Sequence, residues 1–312
     1  MHRLLLLLLF SLTSFIEARE LTVTWLDTPV HGLAAIVEMP GGKVMLVDTG
    51  GVKKDAETDY NAGRDAISPF LKARGYAEIS AIVISHPHGD HYGGAEWLLQ
   101  NWTVREYVDN GYEGRGQTLA YKRLRDLAVQ RGGKYRAATH GAHLEMDAGL
   151  EMEVLSPPAE FISRDSDPAK VSEHGLLNSN SLVLRLQHGQ NVFLFPGDSY
   201  GGGFETFLKE KVPAEKLKTT VLTAPHHGFN PGYAFPKMLM PKHVIASCLA
   251  DYPGNAGTPN PRSPGDRAIG TYTPLGAEVC VTAFHGNITA VSDGSTVKVT
   301  KTHERTAPVL PQ

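Results

Sequence analysis

Cysteine is scarce in this chain of 312 residues, which contains only Cys248 and Cys280. With only two thiols, the chain cannot form a zinc site from four thiolates or a small scaffold held together by several disulfides. Each cysteine lies in a short apolar run that is typical of a strand. Two interpretations stay open at this point: the thiols form one disulfide, which export from the cytoplasm would permit, or both are buried and unpaired.

A large excess of charge of one sign is also lacking. The formal net charge is −3, charged residues make up 20% of the chain, and hydrophobic residues make up 41%. This composition is typical of an ordinary globular protein that is long enough for a sizeable core. Proteins that bind duplex DNA without sequence preference need a strong basic footprint, and the overall charge indicates none. Any contact with nucleic acid must therefore be local.

Long hydrophobic runs are missing as well. The run from Leu4 to Phe10 is much shorter than the roughly 20 apolar residues that a membrane-spanning helix needs. The basic residue Arg3 precedes it and the small residue Ala18 follows it, a pattern typical of a secretory signal peptide. We therefore predict a signal peptide over residues 1–18, a secreted or periplasmic mature protein, and no stable membrane anchor.

The most informative motif present is His86-Pro87-His88-Gly89-Asp90-His91, directly after an apolar run. Three imidazoles and a carboxylate are ligands that suit zinc, manganese or iron. Glycines in and after the motif allow the backbone to turn tightly. Because alternate residues of an extended segment point to the same side, one pair of ligands can face one ion while the next pair faces another. The motif therefore predicts two adjacent divalent metal ions.

Further polar groups follow other apolar runs. Asp48 ends one run, Asp198 follows a second, and His226 and His227 follow a third. Each group alone has a structural explanation, such as capping a turn. Strand ends commonly converge on one crevice, however. Together with the histidine motif, these groups predict a single site.

Strand-like and helix-like segments occur in mixed order in both halves of the chain. The apolar patterns predict helices over 67–74, from 95 onwards, and over 119–129. They predict strands over 21–26, 33–39, 43–47, 81–84, 150–155, 181–187, 192–195, 220–223, 244–249 and 279–281. Turn residues at 40–42 and at 188–191 predict that the strands on either side of each turn form a hairpin. This order favours an α+β fold in which two mixed sheets are sandwiched between helices, αββα, over a doubly wound parallel sheet. We predict one domain over residues 19–300 and a disordered tail over 301–312.

With these motifs assembled, the chain resembles the metallo-β-lactamase superfamily, whose signature H-x-H-x-D-H is complete in the histidine motif. Within it, the chain is similar to the hydrolase domain of ComEC-type competence proteins and their free-standing secreted relatives. That second likeness rests on Val47-Asp48-Thr49-Gly50, on Asn178 to Arg185 leading to Pro196-Gly197-Asp198, on His226-His227-Gly228, and on Gly286-Asn287-Ile288 with Ser292-Asp293-Gly294. The resemblance covers residues 21–299 and implies the αββα sandwich.

The resemblance also implies a centre of two divalent metal ions, zinc in the first place and manganese as the alternative. The implied metal ligands are His86, His88, Asp90, His91, Asp198 and His226. His86 and His88 would bind one ion, and Asp90 and His91 would bind the second. Asp198 would bridge both ions, and His226 would complete the second site. His227 would contact the substrate or transfer a proton, so the implied catalytic residues are Asp90, Asp198 and His227. Asp48 would orient a ligand from outside the coordination sphere.

One position departs from the superfamily pattern. Most members have a further histidine between the motif and the bridging aspartate, where this chain has Asn178 and Asn180. We interpret both asparagines as supports of the site. His174 is near enough in sequence to supply the missing imidazole, although a solvent-exposed loop histidine is the plainer interpretation.

These residues predict an exported metal-dependent hydrolase of phosphodiester bonds, in nucleic acid or in an envelope polymer, that uses a water between two metals. Its partner would be a small or polymeric phosphoester, and the overall charge does not itself indicate nucleic acid. A lactam, a lactone or another ester is the first alternative substrate. The second alternative is a binding protein that kept the fold without the chemistry. The complete ligand set argues against it, because buried histidines and aspartates without a metal would be poorly satisfied.

Overall fold

The computed structural model describes residues 20–114, 118–166, 172–229, 234–249 and 263–304. The predicted signal peptide lies outside these residues, and so does the tail from residue 305. Lys301, where we predicted the tail to begin, ends a strand instead. No helix in the described part of the chain has the length and apolar character needed to cross a membrane.

The strands of the described residues are β1 (Leu21–Trp25), β2 (Ala34–Glu38), β3 (Val44–Thr49), β4 (Val52–Lys54), β5 (Asp59–Asn61), β6 (Glu78–Ile79), β7 (Ala81–Val83), β8 (Thr103–Val104), β9 (Glu106–Asp109), β10 (Lys134–Ala137), β11 (Glu151–Ser156), β12 (Val183–His188), β13 (Asn191–Phe195), β14 (Val221–Thr223), β15 (His243–Ala246), β16 (Glu278–Val281), β17 (Ile288–Ser292) and β18 (Val297–Lys301).

The α-helices are α1 (Ser68–Ala73), α2 (Gly89–Tyr92), α3 (Ala95–Asn101), α4 (Thr118–Gln130), α5 (Glu173–Ser179), α6 (Gly202–Lys211), α7 (Ala214–Leu217), α8 (Phe235–Leu239), α9 (Pro264–Tyr272) and α10 (Thr282–His285). A π-helical turn, Gly63–Ile67, precedes α1, and 3-10 turns cover Pro225–Gly228 and Thr273–Leu275.

Two mixed sheets form the centre of the fold. The first has eight strands in the order β10-β9-β7-β3-β2-β1-β17-β18, and the second has six in the order β11-β12-β13-β14-β15-β16. β1 pairs with β17, so both ends of the described chain contribute to one sheet. The hairpins predicted at β2–β3 and β12–β13 are both antiparallel pairs.

Three hydrophobic layers hold the sheets and helices together. One core lies between the two sheets, and Trp25 Nε1 crosses it to donate a hydrogen bond to Thr223 Oγ1 at 2.9 Å. A second core packs the outer face of the eight-stranded sheet against α1, α3 and α4, and a third packs the other sheet against α6, α8 and α9. Phe193 and Phe195 face the central core while Leu194 faces the helices, as the two-residue period of a strand requires. The predicted αββα sandwich is therefore confirmed.

The two cysteines lie in this core region as free, buried thiols. Of the two interpretations that the sequence left open, the structure has the unpaired one.

The sheet topology brings the candidate site together. β3, β7 and β9 run parallel in the first sheet, and β13, β14 and β15 run parallel in the second. Their carboxyl ends meet at one edge of the sandwich, where Gly197 (φ +55) follows β13. A Cβ on Gly197 would lie 2.7 Å from Ser85 Cβ, so only glycine lets the two strand ends approach this closely.

Candidate metal centre

The histidine motif occupies the turn that follows β7. His88 has extended backbone (φ −104°, ψ 142°), and helix α2 begins at the next residue, Gly89. The first ligand pair therefore lies on extended chain, whereas Asp90 and His91 lie on a helical turn. The pairwise division of the motif that the sequence analysis predicted therefore coincides with a change from extended to helical backbone at Gly89.

One candidate metal cluster consists of His86, His88 and Asp198, whose ligand atoms all lie within 4.8 Å of one another. Nε2 of His86 is 2.8 Å from Nδ1 of His88 and 3.7 Å from Oδ2 of Asp198. All three side chains are buried. We call these residues the first cluster.

A second cluster consists of Asp90, His91, Asp198 and His227, again with ligand atoms within 4.8 Å of one another. Nε2 of His91 lies 3.2 Å from Nε2 of His227 and 3.2 Å from Oδ1 of Asp198. Nε2 of His227 lies 3.3 Å from Oδ2 of Asp90. Asp198 belongs to both clusters and offers a different oxygen to each, which is the arrangement expected of a bridging carboxylate.

The structure reverses the positions that the sequence analysis predicted for His226 and His227. His227, not His226, belongs to the second cluster, and its Nδ1 lies 2.8 Å from the carbonyl oxygen of Ser247. That contact fixes Nδ1 as the donor and leaves the Nε2 lone pair facing the cluster. His226 is 22% exposed, lies 3.8 Å from Asp198 Oδ2, and stacks on Tyr200 with ring centroids 5.3 Å apart. Both histidines have left-handed backbone, with φ of 50° and 57°, a conformation that sequence spacing did not reveal.

Asp48 is fully buried at the end of β3 and supports the second cluster. Its Oδ1 accepts a hydrogen bond from the backbone N–H of Ser85 at 2.7 Å, and its Oδ2 accepts one from Ser85 Oγ at 2.9 Å. Oδ2 also lies 2.7 Å from Nδ1 of His91. The carboxylate therefore keeps the ring hydrogen on Nδ1 and presents the Nε2 lone pair to the cluster.

The two asparagines have different surroundings. The Asn180 amide is used locally: it accepts from the N–H of Ile162 and donates to the carbonyl oxygens of Ile162 and Leu176 at 2.9 Å each. Asn178 is completely buried, yet neither atom of its amide has a hydrogen-bond partner. It lies one helical turn after His174 on α5, and the ring of His174 stacks on His88 with centroids 3.9 Å apart. His174 is exposed and belongs to neither cluster.

Opposite charges are concentrated in the second cluster. Burial alone would lower the pKa of His91, but the carboxylates of Asp198, Asp48 and Asp90 raise it well above its usual value. The pKa of His227 is also raised against burial, chiefly by Asp198. Burial opposes ionisation of Asp198, but the surrounding histidines, His91 first, hold its pKa well below the usual range. The carboxylates thus stabilise positive charge at Nε2 of the His91 and His227 rings, which either a proton or a divalent cation can supply.

The first cluster instead offers neutral imidazoles. Burial, together with the nearby His91, lowers the pKa of His86 well below its usual value. Burial and the neighbouring His174 lower the pKa of His88 to about 4. Neutral imidazole is the form that binds a metal.

The residues present fit a pair of divalent cations. Within the described chain, His88 Nε2, Asp198 Oδ1 and both polar atoms of the Asn178 amide are buried without a hydrogen-bond partner. Buried polar atoms of this kind are costly unless an ion or water satisfies them. Imidazole nitrogens mixed with carboxylate oxygens are a donor set for zinc, manganese or iron.

His31 is a site residue that the sequence analysis missed. It lies in the turn between β1 and β2, with its Nε2 3.7 Å from Asp90 Oδ2 and its ring centroid 4.1 Å from that of His227. Burial and the neighbouring His227 lower the pKa of His31 to about 2. A single histidine with no other candidate ligand nearby in sequence gives no spacing signal.

Comparisons with known proteins agree with this fold. A family profile described as "Metallo-beta-lactamase superfamily" matches residues 27–234. ComE operon protein 3 of Bacillus subtilis is 28% identical over 213 residues, which are 65% of this chain and 25% of that protein. Competence protein ComA of Neisseria gonorrhoeae is 27% identical over 234 residues, 74% of this chain and 28% of that protein. The chain therefore spans about a quarter of the length of these relatives.

A solved structure shows the same fold at low identity. CmlA, a diiron beta-hydroxylase from Streptomyces venezuelae, has a TM-score of 0.51 and 13% identity, covering 87% of this chain and 54% of that one. The likeness to ComEC-type competence proteins that the sequence motifs indicated is confirmed by the relatives.

Proposed function

The chain belongs to the metallo-β-lactamase superfamily and is a metal-dependent hydrolase, and we propose that it cleaves phosphodiester bonds at a centre of two divalent ions. The observation that carries this proposal is the position of Asp198, whose two oxygens face the two clusters. A carboxylate shared in this way would hold two cations close enough to act on one bond. The competence names of the relatives favour a phosphodiester of nucleic acid, and an envelope polymer with the same linkage is equally compatible with the site.

Each cluster would hold one of the two ions. His86, His88 and Asp198 would hold one ion, and Asp90, His91, His227 and Asp198 would hold the other. Two divalent ions held there would lower the pKa of a bound water and offset negative charge on a phosphoryl oxygen. Asp48 keeps the Nε2 lone pair of His91 directed at the cluster.

His226 takes the role that we first predicted for His227. It is the partly exposed member of the histidine pair and lies beside the bridging carboxylate, at 3.8 Å. Its imidazole therefore reaches both solvent and the reacting centre, as a residue that contacts substrate or transfers a proton to a leaving group must. We assign this role to His226 Nε2.

Zinc is the ion we propose, with manganese as the alternative. Four imidazoles in the two clusters favour zinc, whereas the shared and terminal carboxylates are also acceptable to manganese. We also propose that the protein is exported, on the strength of Arg3, the apolar run from Leu4, and Ala18. Mass spectrometry of the exported protein should find an N-terminus near Arg19, and an intact Met1 there would contradict cleavage.

One experiment separates the substrate classes. The purified protein is analysed for zinc and manganese and then assayed on bis(p-nitrophenyl) phosphate, single-stranded DNA, a lactone and a chromogenic cephalosporin. We expect about two ions per chain and turnover of the phosphodiesters. Turnover of the lactone or the cephalosporin alone would replace the proposed substrate, and absence of both metal and turnover would favour a binding protein.

Substitutions then assign the clusters. His86→Ala and Asp90→Ala should each abolish turnover while removing metal from a different cluster. His243→Ala is the control, because His243 pairs with Glu278 on the second sheet, outside both clusters. Loss of turnover with undiminished metal in both variants would refute the assignment.

A further inference from the structure

His31 is held against the second cluster by a turn that is fixed on several sides. The N–H of Leu33 donates to the carbonyl oxygen of Asp90 at 3.1 Å, and Ser247 Oγ donates to the carbonyl oxygen of Gly32 at 3.0 Å. A Cβ on Gly32, which has φ +154°, would lie 2.4 Å from the Asp90 carbonyl oxygen. The glycine thus allows the turn to lie directly on the backbone of a cluster residue.

The imidazole of His31 contacts two members of the second cluster at once. Its Nε2 lies 3.7 Å from Oδ2 of Asp90, and its ring packs on His227 with centroids 4.1 Å apart and planes inclined by 55°. The side chain of His31 is only 10% exposed, whereas that of Asp90 is 30% exposed. The other residues of the two clusters are buried. Asp90 is therefore the ligand that is most free to turn towards solvent.

We propose that His31 is a positioning residue of the metal centre, which keeps the Asp90 carboxylate and the His227 ring directed at the second ion. His31 itself belongs to neither group of mutually close ligand atoms, so it acts through those two ligands. The separation from Asp90 is longer than a direct hydrogen bond, so the attraction is electrostatic or passes through water. This inference rests on the proposed metal centre but not on any substrate.

Three substitutions at His31 separate the nitrogen from the ring. His31→Gln keeps a polar N–H close to the position of Nε2, His31→Phe keeps the ring without a nitrogen, and His31→Ala removes both. His188→Gln is a matched control, because His188 is a buried histidine that bonds to Ser292 Oγ away from the clusters. Each protein is titrated with zinc against a chelator of known affinity. Each is also loaded with cobalt, whose d–d absorption reports the geometry of the bound ion.

We expect His31→Ala and His31→Phe to lose at least about 10-fold in affinity for one of two ions, the size typical when a group that orients a ligand is removed. The cobalt spectrum of the weaker site should change in both. His31→Gln and His188→Gln should stay close to the parent. Gly32→Ala, which displaces the turn but keeps the imidazole, should weaken the same ion as His31→Ala.

Two results would overturn the inference. The first is parental affinity for both ions in all His31 variants. The second is parental metal affinity in His31→Phe together with lowered metal affinity in His31→Gln, which would show that the ring serves only for packing. Circular dichroism of the metal-free forms checks folding, and should His31→Ala fail to fold, the Gln and Phe variants decide. A protein that binds both ions but cleaves no phosphodiester would refute the proposed function and leave this inference intact.

Discussion

Asp48→Asn should remove metal from one cluster by reversing the tautomer of a ligand. In the parent, Asp48 accepts three close contacts: from Ser85 N–H at 2.7 Å, from Ser85 Oγ at 2.9 Å, and from His91 Nδ1 at 2.7 Å. An asparagine has one oxygen and one NH2 group, so it cannot accept from both the backbone N–H and the ring N–H. One donor must then face another donor, or His91 must move its hydrogen to Nε2.

The size of the effect follows from the burial of this contact. Asp48 and His91 are both 0% exposed, so water cannot satisfy a donor that has lost its acceptor. Leaving a buried donor unsatisfied costs about 1–3 kcal/mol, and moving the hydrogen to Nε2 instead blocks the nitrogen that faces the second cluster. We therefore expect metal affinity at this cluster to fall roughly 10- to 100-fold, while the first cluster keeps its affinity.

Chelator competition at neutral pH measures this directly, with the zinc content of dialysed protein as a second readout. Asp109→Asn is the matched control, because Asp109 is also 0% exposed at the end of β9 in the same sheet but pairs with Arg125 at 2.6 Å. That control should lower Tm without changing metal affinity. An Asp48→Asn protein that binds two ions with parental affinity would refute the tautomer argument.

Three further outcomes are expected. The Asp198→Asn protein should keep the parental circular-dichroism spectrum but lose most turnover at neutral pH, because an amide offsets less of the charge of the two cations. Its remaining activity should shift to higher pH, whereas parental turnover with a parental pH profile would show that Asp198 is only a turn residue. Zinc at about 100 times its Kd should stabilise the fold by about 2.7 kcal/mol, which corresponds to a rise in Tm of roughly 5 °C. A chelator should reverse this rise, and an unchanged Tm would exclude a tight zinc site. Burial raises the pKa of Cys248 and Cys280 to about 12, so neither thiol of the folded protein should react fast with a thiol reagent at pH 7. After unfolding without reductant, both thiols should react, and a protein in which neither reacts would contain a disulfide.

The sequence predicted most of the sandwich because its strands follow the local apolar pattern. The predicted run 21–26 became β1 and the run 43–47 became β3, and the turn between 39 and 43 forms the expected hairpin. Local pattern also placed Asp48, the histidine motif, Asp198 and the His226–His227 pair at or just after strand ends. It did not specify which strands pair across the chain, such as β1 with β17, because pairing over that distance depends on the packing of the whole sandwich.

Two features of the site were beyond sequence reasoning for a physical reason. His226 and His227 have the same side chain at adjacent positions, so only the backbone dihedrals decide which one faces the cluster. His31 is distant in sequence from every other site residue and reaches the cluster only because its turn lies on the Asp90 backbone. In both cases tertiary structure, not residue type, assigns the role.

The replacement of an expected histidine by Asn178 is best understood through the unpaired atoms around it. Within the described chain, the buried amide of Asn178 and Nε2 of His88 both lack a hydrogen-bond partner, and Asn178 follows by one helical turn the residue, His174, that stacks on His88. Each such atom is costly to bury without a partner, so a water or an ion bound beside these residues would stabilise the fold. The first cluster offers three protein ligands and the second offers four, so the first cluster would hold an ion with fewer protein donors. We therefore expect the two clusters to bind zinc with unequal affinity, the second cluster filling first in a titration, because four protein donors would stabilise a bound ion more than three.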